Sequence, residues 1–205
     1  MIRREQITQL AKKFRIRDQE IEQARANLVR FTDSLYSTVE EVINALYKEG
    51  ITTMHTPERE KLADGRMQLS FVERDYRFVF VPYQGVAFPA LGECGLPDEL
   101  VDELSRKRAG RLVIVYHPLE DSDAAKALCS FYVFADGTWC VCGAGHSEHK
   151  SIDTQAIADY VFRLLDLIQD GFKKHWHEHQ EISLSAVDST RPETRFHIPY
   201  VAPEE

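Results

Sequence analysis

No stretch of this chain approaches the about 20 consecutive apolar residues that a membrane-spanning helix needs. The first residues include two arginines but no continuous apolar run and no small-residue cleavage site, so no secretory signal is expected there. Cysteine is scarce, with four in 205 residues. Three of these, Cys129, Cys140 and Cys142, stand in strand-like sequence rather than in the spacing of a disulfide framework. A cytoplasmic location is therefore the expectation. Reaction signatures are missing too. There is no Walker A loop, G-x-G-x-x-G, G-x-S-x-G or kinase set. His175 and His179 have the outer spacing of H-E-x-x-H, but Trp176 stands where the glutamate belongs, which excludes a zincin-type protease. Gly143-Ala144-Gly145 is separated from the next helix by a polar insertion and makes a poor phosphate loop. Internal repeats and low-complexity tracts are also absent.

The net charge of −8 argues against general nucleic-acid binding. It is unevenly distributed: residues 1–17 carry +5 and the remainder −13. Hydrophobic residues make up 43% and charged residues 28%, as in a globular protein with one good core.

What is present in strength is a heptad. Ile7, Phe14, Ile21, Leu28, Leu35 and Val42 recur every seven residues, with Leu10, Ala24, Phe31 and Ala45 at most of the matching second positions. This spacing predicts a long amphipathic helix from about Ile2 to Tyr47, stopped by Gly50. Unbroken, it would measure roughly 65–70 Å. A compact body of this length is only about 43 Å across. The helix must then overhang and find a partner, or break, most naturally at Arg15-Ile16-Arg17-Asp18. The stripe is narrow as far as Leu35 and widens through Val39, Val42, Ile43 and Leu46. Residues 36–48 are therefore expected to dock on the body, and residues 7–35 to meet a partner.

Strand patterns follow at Met67–Phe71, Tyr76–Val81, Arg111–His117, Ala127–Phe134 and Trp139–Val141. A short helix begins at Pro97-Asp98-Glu99. Asp136-Gly137 marks a two-residue hairpin. Ser151 and Asp153 open a last helix lined by Ile157, Val161, Leu164, Ile168 and Phe172, which could run on through His179. The expected fold is α+β: a long N-terminal helix, an antiparallel sheet of about five strands with a short inserted helix, and a C-terminal amphipathic helix. Residues 1–35 are read as a protruding helical dimerisation segment, 36–180 as one globular domain and 181–205 as an extended tail. In architecture this order is similar to that of the small acidic chaperones of specialised secretion systems, with no shared motif.

Two constellations could carry chemistry. Cys140, Cys142, His146 and His149 offer two thiolates and two imidazoles for zinc. A two-residue turn at Asp136-Gly137 would place Cys140 opposite Val133 and Cys142 opposite Phe131, on one core face with Cys129. Buried, reduced, metal-free thiols are the expectation, and no metal or cofactor is assigned. Separately, antiparallel pairing would bring His117, Asp121, His146 and His149 to one sheet edge beside the start of the last helix. Imidazole and carboxylate groups together can bind a divalent metal or a small ligand.

The expected function is non-enzymatic: a protein-binding, adaptor or chaperone-like module. It would form a coiled-coil homodimer through the seam Ile7, Leu10, Phe14, Ile21, Leu28, Phe31 and Leu35, and bind another protein, but neither nucleic acid nor membrane. The alternative is a metal-dependent enzyme or ligand sensor working from the histidine edge.

Overall fold

A computed structural model describes residues 4–91, 94–143 and 147–169. The fold is α+β. Helix α1 (Arg4–Lys48) leads into strands β1 (Glu58–Lys61), β2 (Met67–Glu73) and β3 (Tyr76–Ala87). Helix α2 (Asp98–Leu104) precedes β4 (Ala109–Pro118), β5 (Lys126–Phe134), β6 (Thr138–Gly143) and β7 (Glu148–Ser151), and helix α3 (Thr154–Gln169) follows. The seven strands form one antiparallel sheet in sequence order.

The sheet exceeds the five strands expected because its two edges are polar. Glu58-Arg59-Glu60-Lys61 and Glu148-His149-Lys150-Ser151 show no apolar alternation to announce them. Charged edge strands discourage further pairing with other chains. Strand β3 runs on through Pro82 to Ala87, beyond the Tyr76–Val81 pattern. Its pairing with β2 reaches only Phe80, so the proline costs no bond on that side.

Helix α1 is unbroken. Arg17, at the expected break, lays its guanidinium 4.6 Å from the Phe14 ring centroid and pairs with Asp18 at 3.0 Å. The helix stops as the glycine predicted. Gly50 has φ 89°, its N–H bonds the Tyr47 carbonyl, and the Ile51 N–H reaches back to Leu46. These two bonds are the Schellman pattern.

Burial on α1 begins at Ala24, well before residue 36. Leu28, Phe31, Leu35, Val39 and Ile43 continue at helical spacing, all buried against one face of the sheet. The expected boundary between protruding and docked helix therefore moves back by about three turns. The Phe31 ring lies 5.3 Å from both Phe131 and Trp139, and Tyr160 of α3 closes the group at 5.0 Å from Phe131. Polar anchors fix the angle at which the helix crosses. Asn27 Nδ2 donates to the carbonyls of Phe134 (2.9 Å) and Ala135 (3.1 Å), and the Tyr36 hydroxyl donates to that of Phe80 (2.8 Å).

The opposite face of the sheet is apolar as well. Near β5 and β6, Tyr132, Phe134, Cys140 and Cys142 cluster with Leu91, Cys94 and α2 residue Leu104. Near β3 and β4, Val79, Val81, Tyr83, Val113 and Val115 form a second cluster.

Gly110 permits the closest approach of α1 to the sheet. A Cβ there would meet Leu28 Cβ and Cδ2 at 2.9 Å. Gly110→Ala should therefore destabilise the fold by about 1–3 kcal/mol through overpacking. Phe31→Ala should cost about 3–5 kcal/mol through the cavity it leaves. Urea unfolding followed by tryptophan fluorescence checks both. Losses below about 0.5 kcal/mol at both positions would contradict this packing.

Candidate functional site

The first five turns of α1 project beyond the body. Ile7 and Leu10 are each 54% exposed and Phe14 45%, whereas Ala24 is fully buried. Ile21 lies between these regimes, half-buried. The exposed apolar line continues in register the stripe that packs on the sheet lower down. Charge along the projection is polarised. Arg4, Lys12, Lys13, Arg15 and Arg17 precede Asp18, Glu20 and Glu22, with Glu5 the one acid among the first group. The expected seam therefore divides in two. Ile7, Leu10, Phe14 and Ile21 are presented outward or at the margin. Leu28, Phe31 and Leu35 are consumed by the chain's own core and have no surface to offer a partner.

The histidine edge does not assemble as expected. His117 ends β4, is buried, and its Nδ1 lies 2.8 Å from the Pro118 carbonyl oxygen. Asp121 accepts from the Asp123 and Ala124 N–H groups and so caps the short turn Ser122–Ala124. His149 sits on β7 opposite Cys140, in the row that continues through Tyr132 to Arg111. His117 is six residues beyond Arg111 and three strands over from β7. At normal strand spacings the two imidazoles stand roughly 20 Å apart along the strands and roughly 14 Å across them. His146 lies outside the described residues, as do His175, His177 and His179.

The physical reason is β7, which returns the chain to the far end of the sheet before α3 begins. The Ile152 N–H there bonds Gly137 at the hairpin tip, away from His117. The start of α3 is also occupied, because Asp153 accepts from the Ala156 N–H at 2.8 Å. Among the described residues no group of three or more His, Cys, Asp or Glu side chains could hold a metal ion.

The cysteine register corrects a second expectation. Cys140 pairs with Tyr132 and Cys142 with Ser130, not with Val133 and Phe131. The turn uses three residues, Ala135-Asp136-Gly137, with Gly137 at φ 81° in the left-handed region. A loop one residue longer slips the register by one and reverses every side chain of β6. Trp139 and Val141 thereby face α1, while Cys140 and Cys142 face α2. Cys129 remains on the α1 side, within 3.4 Å of the Tyr160 hydroxyl. Cys142 is disulfide-bonded to Cys94, at a Cα separation of 4.7 Å, and ties the segment before α2 to the sheet. The expectation of three reduced thiols holds for Cys129 and Cys140 and fails for Cys142. The disulfide also weakens the cysteine-based argument for a reducing compartment. No described helix is long and apolar enough to cross a membrane.

Burial raises the Cys129 and Cys140 thiols to about 12 from their ordinary 9.0. Cys140 and His149 face each other across β6 and β7, and His149 Nε2 is buried without a hydrogen-bond partner among the described residues. With its thiol held protonated by burial, Cys140 is a poor nucleophile near neutral pH.

Sequence reasoning also missed Arg111, a buried cation on the α2 side of the sheet. Its Nη2 donates to Ser130 Oγ at 2.9 Å, and Tyr83 and Tyr132 flank it with ring centroids at 5.1 and 5.7 Å. A signal was available, since period two places Arg111 on the same face as Val113 and Val115.

No protein-family model, curated protein or solved structure matches the chain.

Two free thiols and one disulfide should be countable directly. In denaturant without reductant, a thiol reagent should titrate two groups, and after reduction four. Native protein should react slowly. The pH dependence has a definite sign. Between about 9 and 12 the unfolded chain releases the Cys129 and Cys140 protons while the folded chain keeps them, so stability should fall as pH rises through that window. Four reactive thiols before reduction, or a urea midpoint that rises from pH 8.5 to 10.5, would contradict this assignment.

Proposed function

We propose that this chain is a non-enzymatic protein-binding module that self-associates through the projecting turns of α1, in the manner of a dimeric adaptor. The observation that carries this reading is the continuity of one apolar stripe: sheet-packed from Ala24 onward, uncovered at Ile7, Leu10 and Phe14. A helix face of this kind is stable in water chiefly when something covers it. A second copy suits it well, because two-fold pairing is the commonest form of self-association and requires a self-complementary patch.

The spacing accommodates an antiparallel pair. Phe14 lies midway between Ile7 and Ile21, so a two-fold axis at Phe14 sets each Ile7 opposite the partner's Ile21. Arg4 of one helix then falls opposite the partner's Ala24, two residues from its Glu22. Lys13 faces the partner's Arg15 in this register, and parallel pairing would align Lys12, Lys13, Arg15 and Arg17 each with itself, so charge does not choose between the two. The projection, Arg4 to Gln23, is about 30 Å long. Antiparallel overlap leaves the two bodies at opposite ends, clear of each other.

Light scattering at tens of micromolar should report a dimer. Burial of each Phe14 contributes about 1.5–3 kcal/mol, so Phe14→Asp, which removes both, should weaken association at least a hundredfold. Phe14 is exposed and belongs to none of the buried clusters, so the variant should keep the parent's unfolding midpoint. A wild-type monomer at that concentration, or a Phe14→Asp variant that dimerises as well as wild type, would refute the reading.

A further inference from the structure

Arg111 is 6% exposed and forms no salt bridge among the described residues. Its fork has five N–H donors. Among the described residues it makes one hydrogen bond, from Nη2 to Ser130 Oγ, and Nε is buried with no partner. A buried guanidinium without a counter-charge costs several kcal/mol, and the two tyrosine faces return only part of it. The surroundings are otherwise built with care. Between the pairs Pro82–Leu112 and Val86–Gly110 the ladder shifts, so that Tyr83, Gln84 and Gly85 together stand opposite Arg111. Such a bulge re-aims a side chain, and here it sets Tyr83 beside the guanidinium. Gln84, the next residue, is exposed, so the break in the ladder lies one position from solvent.

We propose that Arg111 anchors a binding site for a small organic carboxylate whose remainder is apolar or aromatic. Three features select that class. A guanidinium matches a planar carboxylate with parallel N–H···O bonds, and Nε is free to donate one. The charge to be balanced is single. The other cation acting on Tyr83 is Arg66, which is paired with Asp64 at 2.7 Å. A monoanion is therefore neutralised there, and a phosphate dianion is not. Tyr83 and Tyr132 flank the guanidinium, and Val81 and Val113 belong to the cluster around Tyr83, so the surroundings are apolar and aromatic. Burial raises both phenols above their ordinary value, so they face the ligand neutral. The site is on the sheet face opposite α1, and the inference is independent of self-association.

The test uses the full chain with benzoate and hexanoate as probes, benzamide and hexanamide as their uncharged counterparts, and inorganic phosphate. Calorimetry should show saturable binding of at least one carboxylate, with its amide at least tenfold weaker. In wild-type protein the Arg111 Nε–H resonance should move on carboxylate addition and stay in place with the amide. Arg111→Met should lower carboxylate affinity at least tenfold. The Nε–H readout needs no variant, so it decides the matter even if Arg111→Met fails to fold. No carboxylate binding, an unmoved Nε–H resonance, amides that bind equally, or a preference for phosphate would each overturn the proposal.

Discussion

The contact between Phe31 and the aromatic group of Phe131, Trp139 and Tyr160 is the constraint from which the rest of the molecule follows. The sheet is built almost entirely from sequential hairpins, so strand pairing is local and needs little help. Its α1 side, however, carries Phe71, Phe78, Phe80, Leu112, Ile114 and Phe131, which no hairpin can bury. Helices α1 and α3 cover that side together, and Phe31 is where the helices and the sheet meet. Gly110 lets the backbone come close enough, and Asn27 ties the helix to the hairpin tip. With the crossing fixed at Asn27–Phe31, twenty residues of helix are left beyond the sheet. The projection is thus a consequence of where the core begins.

Much of this was readable beforehand, for definite reasons. The heptad, the Gly50 stop and the turn near Asp136-Gly137 are local signals, and each produced the expected element. Which residues of the heptad would be core was not readable. The same spacing serves a coiled-coil seam and a sheet-packed stripe, and only the sheet's position separates Ile21 from Leu28. The cysteine faces were lost through one residue of loop length, because a slip of one inverts a strand. Strands β1 and β7 were invisible since an edge strand need bury nothing. Missing β7 then misplaced the start of α3, and with it the proposed histidine edge. Arg111 escaped notice as the polar first residue of an apolar strand, although period two already placed it on the face of Val113 and Val115.

The two faces of the molecule therefore suggest separate roles. One face supplies the stable platform from which α1 projects. The other holds a disulfide-tethered segment, α2 and a guanidinium with no salt bridge among the described residues, on which the proposed carboxylate site rests. The Cys94–Cys142 bond fastens the segment before α2 to β6, while Arg111 lies two strands away on the same side.

The central claim is that the projecting turns of α1 are covered by a second copy. A helix of about twenty residues with no tertiary support frays in water, so its amides should report whether it is covered. Hydrogen exchange of the Glu5–Glu22 amides, measured at dilute and concentrated protein, tests this most directly. The prediction is strong protection when concentrated and near-complete loss when dilute, while amides of β4 and β5 stay equally protected throughout. Exchange in Glu5–Glu22 that is the same at both concentrations would contradict it.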